Sequence, residues 1–193
     1  MTLWDQKAVF YNRIRTLPLI SSFLKIELRN LKAILQDQHI ETERVIDLGT
    51  GSGAHLSLLP KSVLFVGLDR SLKMIQQARK RHPNIQGVVA DANHLPFHSN
   101  FCGFVLAVGL AEYIKDKNLW FEEIGRVIKA GGLMLLTFSP PGILTHLRNF
   151  LGHSIYPVSL MDFQKLISTH HLELVQWKQS MLQIQCLLRK NDI

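Results

Sequence analysis

Apolar residues along this chain fall into two kinds of pattern. Over residues 10–36 they recur at helical spacing (Leu17, Ile20, Leu24, Leu28, Leu31 and Leu35) with Arg29 and Lys32 between them, which predicts one or two amphipathic helices and a helix start at Pro18. From residue 45 onward they gather into short runs at 45–48, 63–68, 85–90, 101–108 and 133–138, rich in Val, Ile and Leu. Runs without alternation read as strands buried on both faces, and strands separated by helical stretches read as a parallel sheet. The spacing predicts a short helix over 54–59 ended by Pro60, a helix from a Ser71 cap to about His82 with Leu72, Ile75 and Ala78 inward, and a helix over 120–129. Ala130-Gly131-Gly132 is expected to end that last helix by supplying a left-handed conformation. Residues 139–157 break the periodicity with Pro140, Pro141, Gly142, Gly152 and Pro157, and a helix over about 160–169 follows. Two terminal strands, 172–178 and 182–189, are joined so briefly that they must pair antiparallel.

The first strand runs straight into Asp47-Leu48-Gly49-Thr50-Gly51-Ser52-Gly53. Glycine accepts positive φ and lets backbone N–H groups approach a ligand that a side chain would block. A strand, a glycine turn and a helix suit either a dinucleotide or S-adenosylmethionine. A bound pyrophosphate would meet the unpaired charge of Asp47 at close range, whereas S-adenosylmethionine carries an ammonium and a sulfonium and no phosphate. Asp69 and Asp91 follow at successive intervals of 22 residues, each at the carboxyl end of an expected strand. A strand, a helix and a turn fill each interval, so the three carboxylates should stand at three neighbouring strand ends. An acid at the end of the second strand accepts from ribose hydroxyls in either cofactor class.

The glycine motif resembles the first motif of class I S-adenosylmethionine-dependent methyltransferases. Val88-Val89-Ala90-Asp91-Ala92, followed by Leu95-Pro96-Phe97, resembles that family's adenine-binding segment. The run from Phe121 through Arg126 to Gly131-Gly132 is similar to that of the subgroup acting on small molecules, quinones and lipids, with Ala130 where proline is usual. The resemblance covers roughly residues 40–190 and implies an α/β, Rossmann-like methyltransferase fold. Its seven-stranded, mostly parallel sheet would run in the order 3-2-1-4-5-7-6, with strand 7 antiparallel and helices on both faces. The implied cofactor is S-adenosylmethionine, held by Asp47, Gly49, Thr50, Gly51, Gly53, Asp69, Arg70, Met74, Asp91, Ala92, Val108 and Gly109. One domain, 1–193, would then comprise an N-terminal helical segment (1–40), a cofactor-binding core (41–138), a substrate-facing insertion (139–160) and a C-terminal helix with its strand pair (161–193). The N-terminal segment either packs on the sheet or closes over the cofactor, as Phe10, Tyr11 or Arg15 would do in a lid.

Methyl transfer is an in-line displacement at an activated carbon, so alignment can supply most of the catalysis. If the acceptor must lose a proton, Glu112, Tyr113, His146, His153 and Tyr156 are the candidates by position. Enzymes that methylate exocyclic amines of adenine often carry Asn or Asp, Pro-Pro and an aromatic where this chain has Gly109-Leu110-Ala111-Glu112-Tyr113. The apolar residues Leu144, Leu147, Phe150, Leu151 and Ile155 of the insertion suit an apolar or amphipathic small-molecule acceptor, unless they are core. Removing Asp69 is expected to weaken cofactor binding and to change stability little. Two other classes stay open. Gly49-x-Gly51-x-x-Ala54 with Asp69 also satisfies a loose fingerprint of an NAD-dependent oxidoreductase, and a non-catalytic S-adenosylmethionine-binding protein would carry the same cofactor motifs.

Composition adds limits. A formal net charge of +7 raises the question of an anionic partner, but the densest run, Arg79-Lys80-Arg81, ends an expected helix, where it offsets the dipole. Aromatics are not interleaved with the basic residues, so no nucleic-acid site is expected, and an acidic membrane surface remains a weak peripheral partner. Cys102 and Cys186 are too few for a disulfide framework and fit a reducing compartment. The first ten residues lack the pattern of a leader and no apolar run reaches membrane-spanning length, so the expected location is the cytoplasm. No metal is expected, because Pro96 disrupts the helix that would align His94 and His98. The lysine-bearing turn of a nucleoside triphosphate site is missing.

Overall fold

The apolar runs form the strands that their spacing demands. The computed structural model describes residues 18–36, 38, 40, 42, 44–58, 63–142, 145, 154–181 and 183–191. Among them β1 (Arg44–Leu48), β2 (Leu64–Asp69), β3 (Gln86–Val89), β4 (Cys102–Ala107), β5 (Ile128–Phe138), β6 (Leu172–Gln179) and β7 (Ile184–Lys190) make one sheet, ordered β3-β2-β1-β4-β5-β7-β6. The pairs β1–β2, β1–β4, β2–β3 and β4–β5 are parallel. Strand β7 runs antiparallel to both β5 and β6, so the expected order and the reversed last strand are both present. The order turns at β1, and the crevice beyond the carboxyl ends of β1 and β4 is where such sheets bind ligands.

Alternate residues of the central strands β1, β4, β5 and β7 feed two apolar layers. Val45, Phe104, Leu106, Leu135 and Leu187 pack with Leu31 and Ile34 of α1 (Pro18–Leu35) and Ala78 of α2 (Leu72–Arg81). On the other face Ile46, Leu48, Val105, Met134 and Leu136 meet Trp120, Phe121 and Ile124 of α3 (Lys117–Val127) and Phe163 and Ile167 of α4 (Leu160–Thr169). At roughly 1.5–3 kcal/mol for each fully buried Val, Leu, Ile or Phe, these layers hold the strand ends rigidly beneath the connecting loops. Ser71, Asp116 and Ser159 cap α2, α3 and α4, each accepting from a backbone N–H in the first turn.

Three expectations need correction. The helix over 54–59 is only a 3-10 turn, Leu56–Leu58. Nucleating a helix is unfavourable over so few residues, and Pro60 has no N–H to bond the Leu56 carbonyl. Leu72 is 55% exposed, and Met74 joins Ile75 and Ala78 on the buried face of α2 instead. Gly131 and Gly132 do not end α3, which stops at Val127 with Ile128 already extended. Instead Gly131, at φ +69°, lies inside β5 where its register on β4 shifts between the pairs Cys102–Ile128 and Phe104–Leu133. The end of α3 is closed by Lys190 of β7, whose ammonium donates to the carbonyls of Gly125 (2.8 Å) and Ile128 (2.9 Å).

Candidate active site

Strand β1 delivers its glycine turn between the ends of β2 and β4, and short hydrogen bonds fix it there. The Thr50 N–H donates to the Leu68 carbonyl (3.0 Å) and the Thr50 hydroxyl to Asp47 Oδ2 (2.6 Å). Asp69 ties the turn to the next helix: its Oδ2 accepts from the Gly51 N–H and its Oδ1 from the Ser71 N–H, both at 2.9 Å. Gly51 (φ +51°) and Gly109 (φ +73°) adopt the left-handed conformation with open space where a Cβ would stand. The nearest atom to such a carbon is 3.9 Å away at Gly51, and none lies within 4 Å at Gly109. The Gly109 N–H is held by Thr137 Oγ1 of β5 at 2.8 Å. At Gly49 and Gly53, by contrast, a Cβ would come within 3.0 Å of the Leu110 and His82 side chains, so these two glycines serve packing.

These elements surround a cleft of about 940 Å³, including its open mouth. Of the residues expected at a cofactor, Gly49, Thr50, Gly51, Asp69, Arg70, Met74, Asp91, Ala92, Val108 and Gly109 line it. Gly53 lies behind the wall, and so does Asp47, which is 2% exposed. Burial, first of all, pushes the Asp47 carboxyl up to about 7; the Thr50 hydroxyl opposes the shift and the nearby Asp69 charge adds to it. Arg70 reaches from the end of β2 to Asp91 Oδ2 at 2.6 Å, while Asp91 Oδ1 accepts from the Asn93 N–H at 3.0 Å. Ser52, Ala54, His55, Leu110 and Ile114 also line the cleft. Ser52, Ala54 and Leu110 stand in motifs that the sequence offered, whereas His55 and Ile114 were not singled out, because a side chain in an irregular loop carries no periodic signal of its direction.

The candidates for proton transfer are dispersed. Tyr113 lines the cleft, within the 3-10 turn Ala111–Tyr113. Its neighbour Glu112 is 2% exposed and accepts from Ser139 Oγ at 2.6 Å, away from the cleft wall. Tyr156 borders a second hollow with Lys115, Lys117 and Lys165. His146, His153, the lid candidates Phe10, Tyr11 and Arg15, and the insertion residues Leu144, Leu147, Phe150 and Leu151 lie outside the described residues. Ile155 of that insertion is buried, which gives it a core role.

A parallel sheet reversed only at β7, with a glycine turn after β1 and acids at the ends of β2 and β3, is the Rossmann-like architecture of methyltransferases. Magnesium protoporphyrin IX methyltransferase from Synechocystis PCC 6803, solved with S-adenosylhomocysteine bound, superposes on it with a TM-score of 0.78 over 98% of each chain, at 12% identity. That likeness concerns the fold. Residues 46–136 match the methyltransferase domain family. The demethylmenaquinone methyltransferase of Thermotoga maritima is 32% identical over 73% of this chain and 62% of its own length. A malonyl-acyl-carrier-protein O-methyltransferase of a Marinomonas species is 31% identical over 61% of this chain and 45% of its own. This chain thus spans about half to two thirds of these relatives. Its residues 46–136 belong to the methyltransferase domain family, and its fold is that of the class I S-adenosylmethionine-dependent methyltransferases.

Proposed function

We propose that this protein transfers the methyl group of S-adenosylmethionine to a small organic acceptor. The observation that carries this reading is the engagement of the Gly51 N–H by Asp69 in a turn followed, among the described residues, only by the 3-10 turn Leu56–Leu58. In a dinucleotide site the turn amides and a helix N-terminus receive the pyrophosphate. Here the amide is taken by a carboxylate and the 3-10 turn offers no comparable dipole, so a pyrophosphate is disfavoured and a hydroxyl-bearing ligand of net positive charge is favoured. That disfavours an NAD-dependent oxidoreductase. The open space at Gly51 and Gly109 fits a ligand in contact with the backbone, and the donor set fits S-adenosylmethionine.

Asp69, whose two oxygens accept from the Gly51 and Ser71 amides, lines the cleft at the end of β2, where a ribose hydroxyl would meet a charged acceptor. Asp91 and the Ala92 N–H suit the adenine edge, with Met74 against the ring. Thr50, Gly51, Val108 and Gly109 would hold the amino-acid end, within the field of the Asp47 carboxylate. When bound, S-adenosylmethionine supplies a methyl carbon already activated by its sulfonium. The protein's task is then alignment and exclusion of water, to which Leu110, Tyr113 and Ile114 contribute as walls of the cleft. Tyr113 is the proton acceptor by position if the acceptor requires one.

The two named relatives act on demethylmenaquinone and on a malonyl group carried by acyl-carrier protein, which supports a small organic acceptor for this chain as well. The free, buried cysteines fit a cytoplasmic setting. Labelled methyl transfer to a prenylated naphthoquinol, a malonyl thioester and a set of small polar amines tests the proposal. Transfer to one of the first two is expected. Binding of S-adenosylmethionine without transfer to any acceptor would instead mark a non-catalytic binding protein.

A further inference from the structure

A carboxylate withdrawn from water is unfavourable unless its partners are fixed, and that of Glu112 has such partners in two separate segments, with a third held by its backbone. Its Oε2 accepts from Ser139 Oγ (2.6 Å), at the end of β5, and from Gln183 Nε2 (3.3 Å), in the β6–β7 connection. Its backbone carbonyl accepts from the Tyr156 N–H at 2.7 Å, and the Ser139 carbonyl from the Val158 N–H at 3.2 Å. Glu112 is 2% exposed, Ser139 0% and Gln183 9%. The residues directly after Glu112 separate two hollows: Tyr113 and Ile114 line the cleft, while Lys115 and Lys117 line the neighbouring hollow with Tyr156 and Val158. An apolar side chain at 112 would fill this space without desolvating a charge, but it would not bond the end of β5 or the β6–β7 connection.

We infer that Glu112 is a positioning residue for the methyl acceptor, fixing the loop that carries Tyr113 and Ile114 against the segment 154–158. It does not itself abstract a proton, because it is shut away from the cleft. The inference rests on the methyltransferase reading above. It assigns the acceptor side of the reaction to a buried knot of Glu112, Ser139, Gln183 and the Tyr156 amide, and it leaves the cofactor side to Asp69 and Asp91. Loosening the knot therefore separates the two halves of the site. Ordered parts of the cleft that depend on β1 and β2 stay in place, whereas the β4-to-α3 loop loses its anchor.

The test uses Glu112→Ala, the conservative Glu112→Gln, and Ser139→Ala, which removes the 2.6 Å donor and leaves the carboxylate in place. Three quantities are measured: calorimetric affinity for S-adenosylhomocysteine, amide hydrogen exchange at Tyr156 and Val158 against that of β1 and β4, and KM for each substrate with the acceptor methylated in the screen above. In Glu112→Ala and Ser139→Ala the two amides exchange at least about tenfold faster, the acceptor KM rises on the order of tenfold, and cofactor affinity stays within about twofold. Glu112→Gln keeps an oxygen for Ser139 and returns both quantities most of the way to wild type. An unchanged acceptor KM in Glu112→Ala overturns the inference, and so does a loss spread equally over both KM values and all amides, which would mark a merely structural role. Failure of the wild type to bind S-adenosylhomocysteine would contradict the methyltransferase reading instead.

Discussion

Removing the Asp69 carboxylate takes a charged acceptor from two backbone N–H groups and, in the proposed binding mode, from a ribose. Hydrogen bonds to charged groups contribute about 1.5–3 kcal/mol, so Asp69→Ala should weaken S-adenosylhomocysteine binding roughly tenfold to a hundredfold. It should also lower stability by about 1–3 kcal/mol, because Gly51 and Ser71 lose their acceptor; sequence alone suggested little effect, since those partners are backbone groups with no signature of their own. Calorimetry and urea unfolding measure the two effects separately, and a cofactor analogue lacking both ribose hydroxyls should be discriminated by wild type but not by the variant. Asp47 carries a different signature. Its carboxyl is held at about 7 in the folded protein, above the ordinary 3.8, so the apoprotein binds that proton more tightly than the unfolded chain does. The stability it contributes is complete below about pH 4 and is lost as pH rises through about 7. A cationic ligand favours the ionised form, so S-adenosylmethionine affinity should rise over the same interval. Asp47→Asn should flatten both profiles and make the apoprotein more stable than wild type at pH 8, as thermal melts and titrations from pH 5.5 to 8 would show.

Helix α3 reaches across to the loop that follows Asp91 and Ala92. Arg126 donates to the Phe97 carbonyl (2.6 Å) and the Leu95 carbonyl (3.0 Å), and Glu123 pairs with it at 2.7 Å while accepting from the Leu95 N–H at 2.7 Å. Arg126 holds the Glu123 carboxyl below its ordinary value, so this stabilisation is present above about pH 4.5 and is lost as pH falls through the lowered one. Arg126→Ala should cost about 1.5 kcal/mol, the low end for charged bonds because the side chain is 34% exposed. It should also loosen the side of the cleft lined by Asp91 and Ala92, whereas Glu123→Gln should remove the acid-dependent part; urea unfolding at pH 3.5 and 7 distinguishes them. At this scale the chain is most legible where a pattern is local. The buried runs of β1, β2 and β4 and the cap Ser71 can be read from neighbouring residues alone. The passage from α3 to β5 cannot, since Gly131 reads equally well as a helix end or a strand bulge until Cys102, Phe104 and Lys190 are placed beside it. Glu112 was legible only as a loop acid, because the partners that bury it stand 27 and 71 residues further on.

The sheet order places acids from three strands around one crevice, and this depends on the whole chain. Strand β1 pairs with β2 and β4 on either side, so the glycine turn sits where the order reverses and neither neighbour covers it. Within the basic run Arg79-Lys80-Arg81, Arg79 donates to the Gly87 carbonyl (3.3 Å) and Arg81 to Ser52 Oγ (3.2 Å). No helix among the described residues is long and apolar enough to cross a membrane. The central claim is that the cleft at this switch point takes S-adenosylmethionine and not a dinucleotide. Parallel calorimetric titrations of wild type and Gly51→Val with S-adenosylhomocysteine and NAD test it most directly. Gly51 has φ +51° and open space at its Cβ position, so valine adds both backbone strain and bulk where the ligand would lie. Wild type should bind S-adenosylhomocysteine and show no heat with NAD, and a folded Gly51→Val should bind neither. Preferential NAD binding by wild type, or unchanged S-adenosylhomocysteine affinity in the folded variant, would contradict the account.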